Sequence, residues 1–192
     1  MQTDAQKQLD ENRAPDASSA FQDSLPTHPK ALLARLDALR LPYELMHHVP
    51  LRTVADSKQV RDDMLTAQDG GGHIKNLYLR DKKKQNFLAV FQEDKEVDLK
   101  SLGALLGSPR LSFGSADRLI DNLGVRPGAV TPLSMINGVS KNVVLAIDES
   151  LMDCKILYMH PLVNDQTVGM APSDLMIFLA DLNVEPLILP AA

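Results

Sequence analysis

The sequence predicts an α+β domain built on a mixed, largely antiparallel sheet. Two alternating apolar segments, about Ile74–Leu79 and Phe87–Gln92, flank a short polar turn at Asp81–Gln85, which is the pattern of a β-hairpin. Segments with helical apolar spacing, each preceded by a residue able to cap it, lie on both sides of that hairpin. The two kinds are interspersed without regular strand–helix–strand repeats, which argues against a parallel doubly wound sheet.

In chain order, residues 1 to about 26 are polar and acidic without apolar periodicity, and are expected to be a disordered tail ahead of a domain spanning 27–190. A helix is expected from near Thr27, with Pro29 in its first turn, Leu32, Leu33, Leu36 and Leu39 on one face, and Pro42 ending it. Tyr43, Leu45, His47 and Val49 alternate with polar or mixed neighbours and read as a strand. Residues 54–65 suggest a short helix. After the hairpin, Asp98 is placed to cap a helix carrying Leu99, Leu102, Leu105 and Leu106 that stops at Gly107. Ser115 is placed to cap another, with Leu119, Ile120 and Leu123, that stops at Gly124. Val143–Ile147 and Ile156–Met159 read as short strands, and Ser173 as the cap of a last helix with Leu175, Met176, Phe178 and Leu179. There is no internal repeat.

Composition narrows the function classes. The 192 residues suit one domain with a tail, and 44% apolar content is ordinary for a globular chain. With no Trp and 4% aromatics the core must be aliphatic. The net charge is −5, and the first 28 residues hold −3 of it. That is not the basic footprint of a DNA duplex binder, so a nucleic-acid partner would be touched locally, at an end or a single strand. No apolar run is long enough to cross a bilayer, and the N-terminus lacks a basic-then-apolar leader. A lone Cys154 allows no internal disulfide and fits the reducing cytoplasm.

Three segments hold the chemically interesting residues. Gly70-Gly71-Gly72-His73-Ile74-Lys75-Asn76 runs glycines into a strand lysine. Glycines permit close backbone approach, and a lysine sharing a face with Leu77 and Leu79 must reach a partner or line a cavity. The spacing is not that of a phosphate-binding P-loop. Gly128-Ala129-Val130-Thr131-Pro132 is either a turn entering a strand or a backbone wall whose N–H groups face a substrate carbonyl. His160-Pro161-Leu162-Val163-Asn164 places a histidine at a strand end, either structural or a hydrogen-bond donor at a pocket mouth, with Asn164 as companion. Adjacent His47 and His48 would face opposite ways, and no zinc spacing or nucleophile elbow is present. Lys82–Lys84 is a solvated turn or a contact to a nucleic-acid backbone.

Taken in order, Gly71–Lys83, Leu111–Ser115, Leu123–Pro132 and His160–Asn164 resemble the YbaK/prolyl-tRNA synthetase-associated domain family, over about residues 28–186. The nearest branch is the free-standing prolyl-tRNA editing proteins. The resemblance implies an α+β fold with a barrel-like mixed sheet and surrounding helices. It implies a deacylase of mischarged aminoacyl-tRNA, acting on Ala-tRNA(Pro) without a metal or other cofactor. It implies the tRNA 3′ end and prolyl-tRNA synthetase as partners, with no membrane or DNA. Lys75, Gly128 and His160 map onto the family's catalytic positions. Thr53, Asn76, Ala129, Val130, Thr131, Pro132 and Asn164 map onto its substrate-binding ones. In the implied mechanism the Gly128–Pro132 backbone holds the carbonyl, Lys75 anchors the terminal phosphate or ribose, a ribose hydroxyl helps activate water, and His160 holds the terminal nucleotide. Pro50-Leu51-Arg52-Thr53 departs from the family's proline-x-phenylalanine-threonine, at a segment bordering the aminoacyl pocket. Removal of serine, threonine or cysteine, a non-catalytic tRNA-end or synthetase-binding relative, and a free amino-acid or nucleotide hydrolase stay open. A small apolar pocket is expected, lined by Met46, Thr53, Val130 and Leu133.

Overall fold

The computed structural model describes residues 15–51, 56, 58–61, 63–108 and 110–190. Eight strands form one mixed sheet: β1 (Glu44–His47), β2 (Gly71–Arg80), β3 (Asn86–Gln92), β4 (Ser112–Phe113), β5 (Val144–Asp148), β6 (Ile156–Met159), β7 (Gln166–Met170) and β8 (Leu187–Leu189). Among the described residues, α-helices α1 (Pro29–Ala38), α2 (Leu99–Leu105), α3 (Ala116–Leu123), α4 (Met135–Gly138) and α5 (Pro172–Asp181) surround it.

The long strand β2 organises the sheet. Its first residues, Gly71 to His73, pair in parallel with β6, and from Ile74 onward it pairs antiparallel with β3. The strand order is β1-β7-β6-β2-β3-β5-β8, with β4 on the far end of β2. Parallel and antiparallel pairings therefore both meet on β2. The expected hairpin is present, in the register Lys75↔Phe91 and Asn76↔Val90.

β3 is buried along nearly its whole length, which its unbroken Phe87-Leu88-Ala89-Val90-Phe91 run demands. Its alternate residues serve two cores. Leu88 and Val90 join Tyr78, Leu36, Leu123 and Phe178 in the larger one. Phe87, Ala89 and Phe91 join Leu79, Leu102 and Leu189 in the smaller one. Both are mostly aliphatic, as the composition requires.

The helix ends follow capping chemistry. Asp98 and Ser115 accept hydrogen bonds from the backbone N–H groups of Ser101 and Arg118, and α1 begins with Pro29 behind a His28 cap. The last helix starts differently from expectation. Pro172 occupies its first turn and Ala171 its cap position, so Ser173 lies inside it. Proline's fixed φ makes that start without a side-chain cap.

The segment expected to complete a polar tail carries structure from residue 15. A 3-10 helix spans Ser19–Ser24, Ala17 and Ser18 are buried, and the Ala17 carbonyl accepts from the Asn164 N–H at 2.8 Å. Small Ala and Ser side chains gave no apolar period from which to read this. Of the short helix expected over 54–65, residues 54, 55, 57 and 62 lie outside the described residues, 56 is helical, and 58–60 and 63–64 form turns and bends. Three strands, β4, β7 and β8, were not expected.

Phe178 is fully buried in the larger core. Phe178→Ala should lower unfolding free energy by about 3–5 kcal/mol in a urea titration, with little change in m-value.

Candidate active site

β2, the loop before α4 and the β6–β7 connection converge on one cavity of about 240 Å³. Lys75, Asn76, Gly128, Val130 and His160 all line it, although they are up to 85 positions apart in sequence. Thr53 lies outside the described residues. Ala129, Thr131 and Pro132 are buried and support the wall from behind. Leu133 is a core residue, and Met46 stays on β1 without lining the cavity.

The glycine run does not cradle a ligand. A side chain at Gly71 would come within 2.0 Å of the Leu65 carbonyl oxygen, so this glycine lets β2 pass under the protein's own 65–66 backbone. His73 and Tyr158 hold that same segment. The ring of His73 stacks on Tyr158 at 4.9 Å, its Nε2–H donates to the Leu65 carbonyl, and the Leu65 N–H donates to the Tyr158 hydroxyl. Burial pushes the His73 pKa down, so the ring is neutral.

Lys75 and Asn76 leave β2 on opposite faces, and each ties a different wall. The Lys75 ammonium donates to the Lys95 carbonyl. The Asn76 Nδ2 donates to the Val130 carbonyl at 2.8 Å, and its Oδ1 has no partner among the described residues. Two ion pairs surround the Lys75 side. Arg61 grips the buried Glu93 through its two terminal guanidinium nitrogens (2.6 and 2.5 Å), and Lys95 meets the buried Asp148 at 2.5 Å. Burial works against the Asp148 charge, yet Lys95 and Ser150 hold its carboxyl below the usual range.

Gly128 sits at φ +96°, a conformation only glycine adopts freely. The Ala129 N–H turns back to the Arg126 carbonyl, while the Gly128 and Val130 N–H groups meet no acceptor among the described residues. Two backbone donors are thus left on a loop that borders the cavity. Asn164 packs behind Gly128. It exchanges two hydrogen bonds with Leu51, its Nδ2 to the Leu51 carbonyl (2.7 Å) and the Leu51 N–H to its own carbonyl (2.8 Å). The expected companionship of Asn164 with His160 is therefore replaced by one with Leu51. Leu162, between them, is held at φ +71° with its side chain buried.

His160 bonds instead to Gln166. A carbonyl can only accept, so the His160 Nδ1 carries a hydrogen and donates it to the Gln166 oxygen at 2.8 Å. Burial lowers the His160 pKa, outweighing that hydrogen bond and helped by nearby His48. The neutral ring therefore keeps its lone pair on Nε2. The donor that the sequence suggested is thus spent on Gln166, and the Nε2, without a partner among the described residues, can only accept. Sequence reasoning also missed Arg61, Glu93, Tyr158 and Thr167 in the cavity wall. No local pattern marks them, because pairing between distant strands brings them in. Among the described residues no cluster of three or more His, Cys, Asp or Glu side chains is arranged to hold a metal ion.

Comparison with known proteins decides the family. The profile described as "Aminoacyl-tRNA editing domain" matches residues 48–178. This chain belongs to the aminoacyl-tRNA editing domain family. It is 34% identical over 147 residues to the prolyl-tRNA editing protein ProX of Acetoanaerobium sticklandii, covering 76% of this chain and 87% of that protein. It is 31% identical to prolyl-tRNA synthetase associated domain-containing protein 1 of Mus musculus, covering 81% and 91%. Among solved structures, the fold matches a hypothetical protein with TM-score 0.63 at 19% identity, covering 82% and 97%. It also matches a candidate trans-editing enzyme for prolyl tRNA synthetase with TM-score 0.62 at 17% identity, covering 85% and 94%. The eight-stranded mixed sheet with its surrounding helices is thus the fold of these editing-domain structures. Membership implies aminoacyl-tRNA deacylase activity and binding of aminoacylated tRNA. No helix among the described residues is long and apolar enough to cross a membrane.

The partly buried, neutral His160 gives a pH expectation. Its folded pKa lies below the unfolded value of about 6.5, so the unfolded chain binds the extra proton first. The stability this ring contributes is present above pH 6.5 and is lost as pH falls through the folded pKa. Ring-carbon NMR should show the His160 midpoint below the ordinary histidine value of about 6.5. A midpoint at or above that value would contradict the desolvated, donating geometry.

Proposed function

We propose that the protein is a trans-acting deacylase that hydrolyses the ester of mischarged tRNA(Pro), with Ala-tRNA(Pro) as its preferred substrate. The observation that supports it best is the meeting, around one small cavity, of two residues whose backbone N–H groups have no acceptor among the described residues with a neutral histidine acceptor. The ProX relative's name points to prolyl-tRNA editing, and the cavity's contents suit the chemistry.

An aminoacyl ester is activated, so positioning and charge stabilisation can carry much of the catalysis. In this reading the Gly128 and Val130 N–H groups receive the oxyanion that forms as water attacks the carbonyl. The His160 Nε2 accepts a hydrogen bond from that water or from the terminal ribose hydroxyl beside it, and so orients the nucleophile. The Lys75 ammonium, now bonded only to a neutral carbonyl, turns toward the phosphate of the terminal nucleotide. The ester C–O bond breaks, the ribose oxygen leaves and takes up a proton, and the amino acid departs as a carboxylate. No metal enters this scheme.

Size supplies the selection. A proline-sized synthetase site rejects a smaller amino acid weakly, because a missing methylene is worth only about 1–3 kcal/mol. A second, smaller cavity admits alanine and excludes the proline ring by overlap. The protein would act in the cytoplasm, on tRNA released by prolyl-tRNA synthetase.

Purified protein should release alanine from Ala-tRNA(Pro) faster than serine or cysteine from their tRNA(Pro) esters, and leave Pro-tRNA(Pro) intact, with the same rate in EDTA. Binding of charged tRNA with no ester loss above buffer would instead establish a non-catalytic relative. Lys75→Ala should cut kcat/KM by about 10- to 100-fold, the worth of a hydrogen bond to a charged group, while the melting temperature stays near wild type.

A further inference from the structure

The cavity wall holds a second histidine-controlled group that the scheme above does not use. Thr167, on β7, lines the cavity and is 5% exposed. Its Oγ1 lies 2.8 Å from the Nε2 of His48, and the Nδ1 of His48 lies 2.8 Å from the Val49 carbonyl. The carbonyl can only accept, so Nδ1 carries a hydrogen, and in the neutral tautomer that this selects Nε2 carries the lone pair. The Thr167 hydroxyl must then donate its one hydrogen to His48. What remains on Oγ1 is acceptor capacity alone.

A hydroxyl ordinarily adapts, donating or accepting as its neighbour requires. Here His48 removes that freedom. The location is specific as well. Thr167 directly follows Gln166, whose carbonyl holds His160, and the His48 and His160 rings are 6.2 Å apart. Two other acceptors of the wall are committed, the Glu93 carboxylate to Arg61 and the Val130 carbonyl to Asn76, and the Asn76 Oδ1 and the His160 Nε2 stay open beside the Thr167 oxygen.

We propose that Thr167 is a specificity-determining residue that accepts a hydrogen bond from the α-ammonium of the aminoacyl group, with His48 as the positioning residue that fixes its polarity. This rests on the deacylase reading. The α-nitrogen is two bonds from the reacting carbonyl carbon, so an acceptor beside His160 is where an aminoacyl ester would present it. The consequence is selection for a free amino group: an acyl ester of the same size with no donor at that position loses this bond.

The test compares alanyl-tRNA(Pro) with propionyl-tRNA(Pro), which carries hydrogen in place of the amine. Thr167→Val removes the acceptor at nearly constant shape. It should lower kcat/KM for the alanyl ester by about 10- to 100-fold, the range for a hydrogen bond to a charged group, and for the propionyl ester by less than about threefold. Thr167→Ser keeps the hydroxyl and should restore the alanyl rate. His48→Phe frees the hydroxyl hydrogen, so it should reduce the alanyl rate selectively and serves if Thr167→Val does not fold. Equal losses on both esters, or no loss on either, would overturn the assignment. If the wild type hydrolyses neither ester, the deacylase reading fails instead.

Discussion

Two side-chain amides hold the site together. The loops that form its walls, 128–131 and 160–165, have no ladder to satisfy their backbone, and a buried unpaired carbonyl costs about 1–3 kcal/mol. Asn76 reaches from β2 to the Val130 carbonyl, and Asn164 reaches to the Leu51 carbonyl. The two ties come close to one another at Gly128, where an added Cβ would stand 3.4 Å from the Asn164 Nδ2. That contact, and a φ that favours glycine, set the position of the Gly128 and Val130 N–H groups relative to His160. The N-terminal segment reinforces the arrangement from outside, since Ser19 donates to the Asp165 carboxylate and Ala17 receives the Asn164 N–H.

Electrostatically the cavity is divided. On the Lys75 side, Arg61–Glu93 and Lys95–Asp148 are matched pairs, largely withdrawn from water. On the His160 side the groups are neutral and directional: imidazole lone pair, hydroxyl, amide and backbone N–H. An ester substrate divides the same way, with its phosphate at one end and its carbonyl and leaving oxygen at the other. Neutral donors fixed in place lose little to reorganisation when charge develops on the carbonyl oxygen. That division also explains why a strand lysine and a strand asparagine, adjacent in sequence, contribute differently: alternation along β2 sends them to opposite faces.

Much of the fold was legible from local chemistry. The β2–β3 hairpin, the Asp98 and Ser115 caps and the Pro29 helix start are short-range signals that depend on neighbours in sequence. β7 was not legible because it is five residues long with Gly169 inside it, and that glycine lies opposite Tyr158, whose ring leaves a Cβ 3.1 Å of room. β8 was hidden by Pro186 and Pro190 on either side, which an edge strand tolerates and a central one does not. In the site, Lys75, Gly128 and His160 were legible through the resemblance of ordered segments. The acceptor character of His160 and the part played by Thr167 were not. Both depend on which carbonyl faces which ring nitrogen, a property of how β7 pairs with β6 on one side and β1 on the other rather than of any one segment.

The central claim is that the Asn76–Val130 bond positions the loop that meets the reacting carbonyl. The most direct measurement is the kcat and KM of Asn76→Ala and Asn76→Asp on Ala-tRNA(Pro), with melting temperatures alongside. The account predicts that both variants remain folded, that kcat falls by about tenfold or more, and that the aspartate, which sets a negative charge against the Val130 carbonyl, is the worse of the two. A wild-type kcat in both variants, with any loss confined to KM, would contradict it.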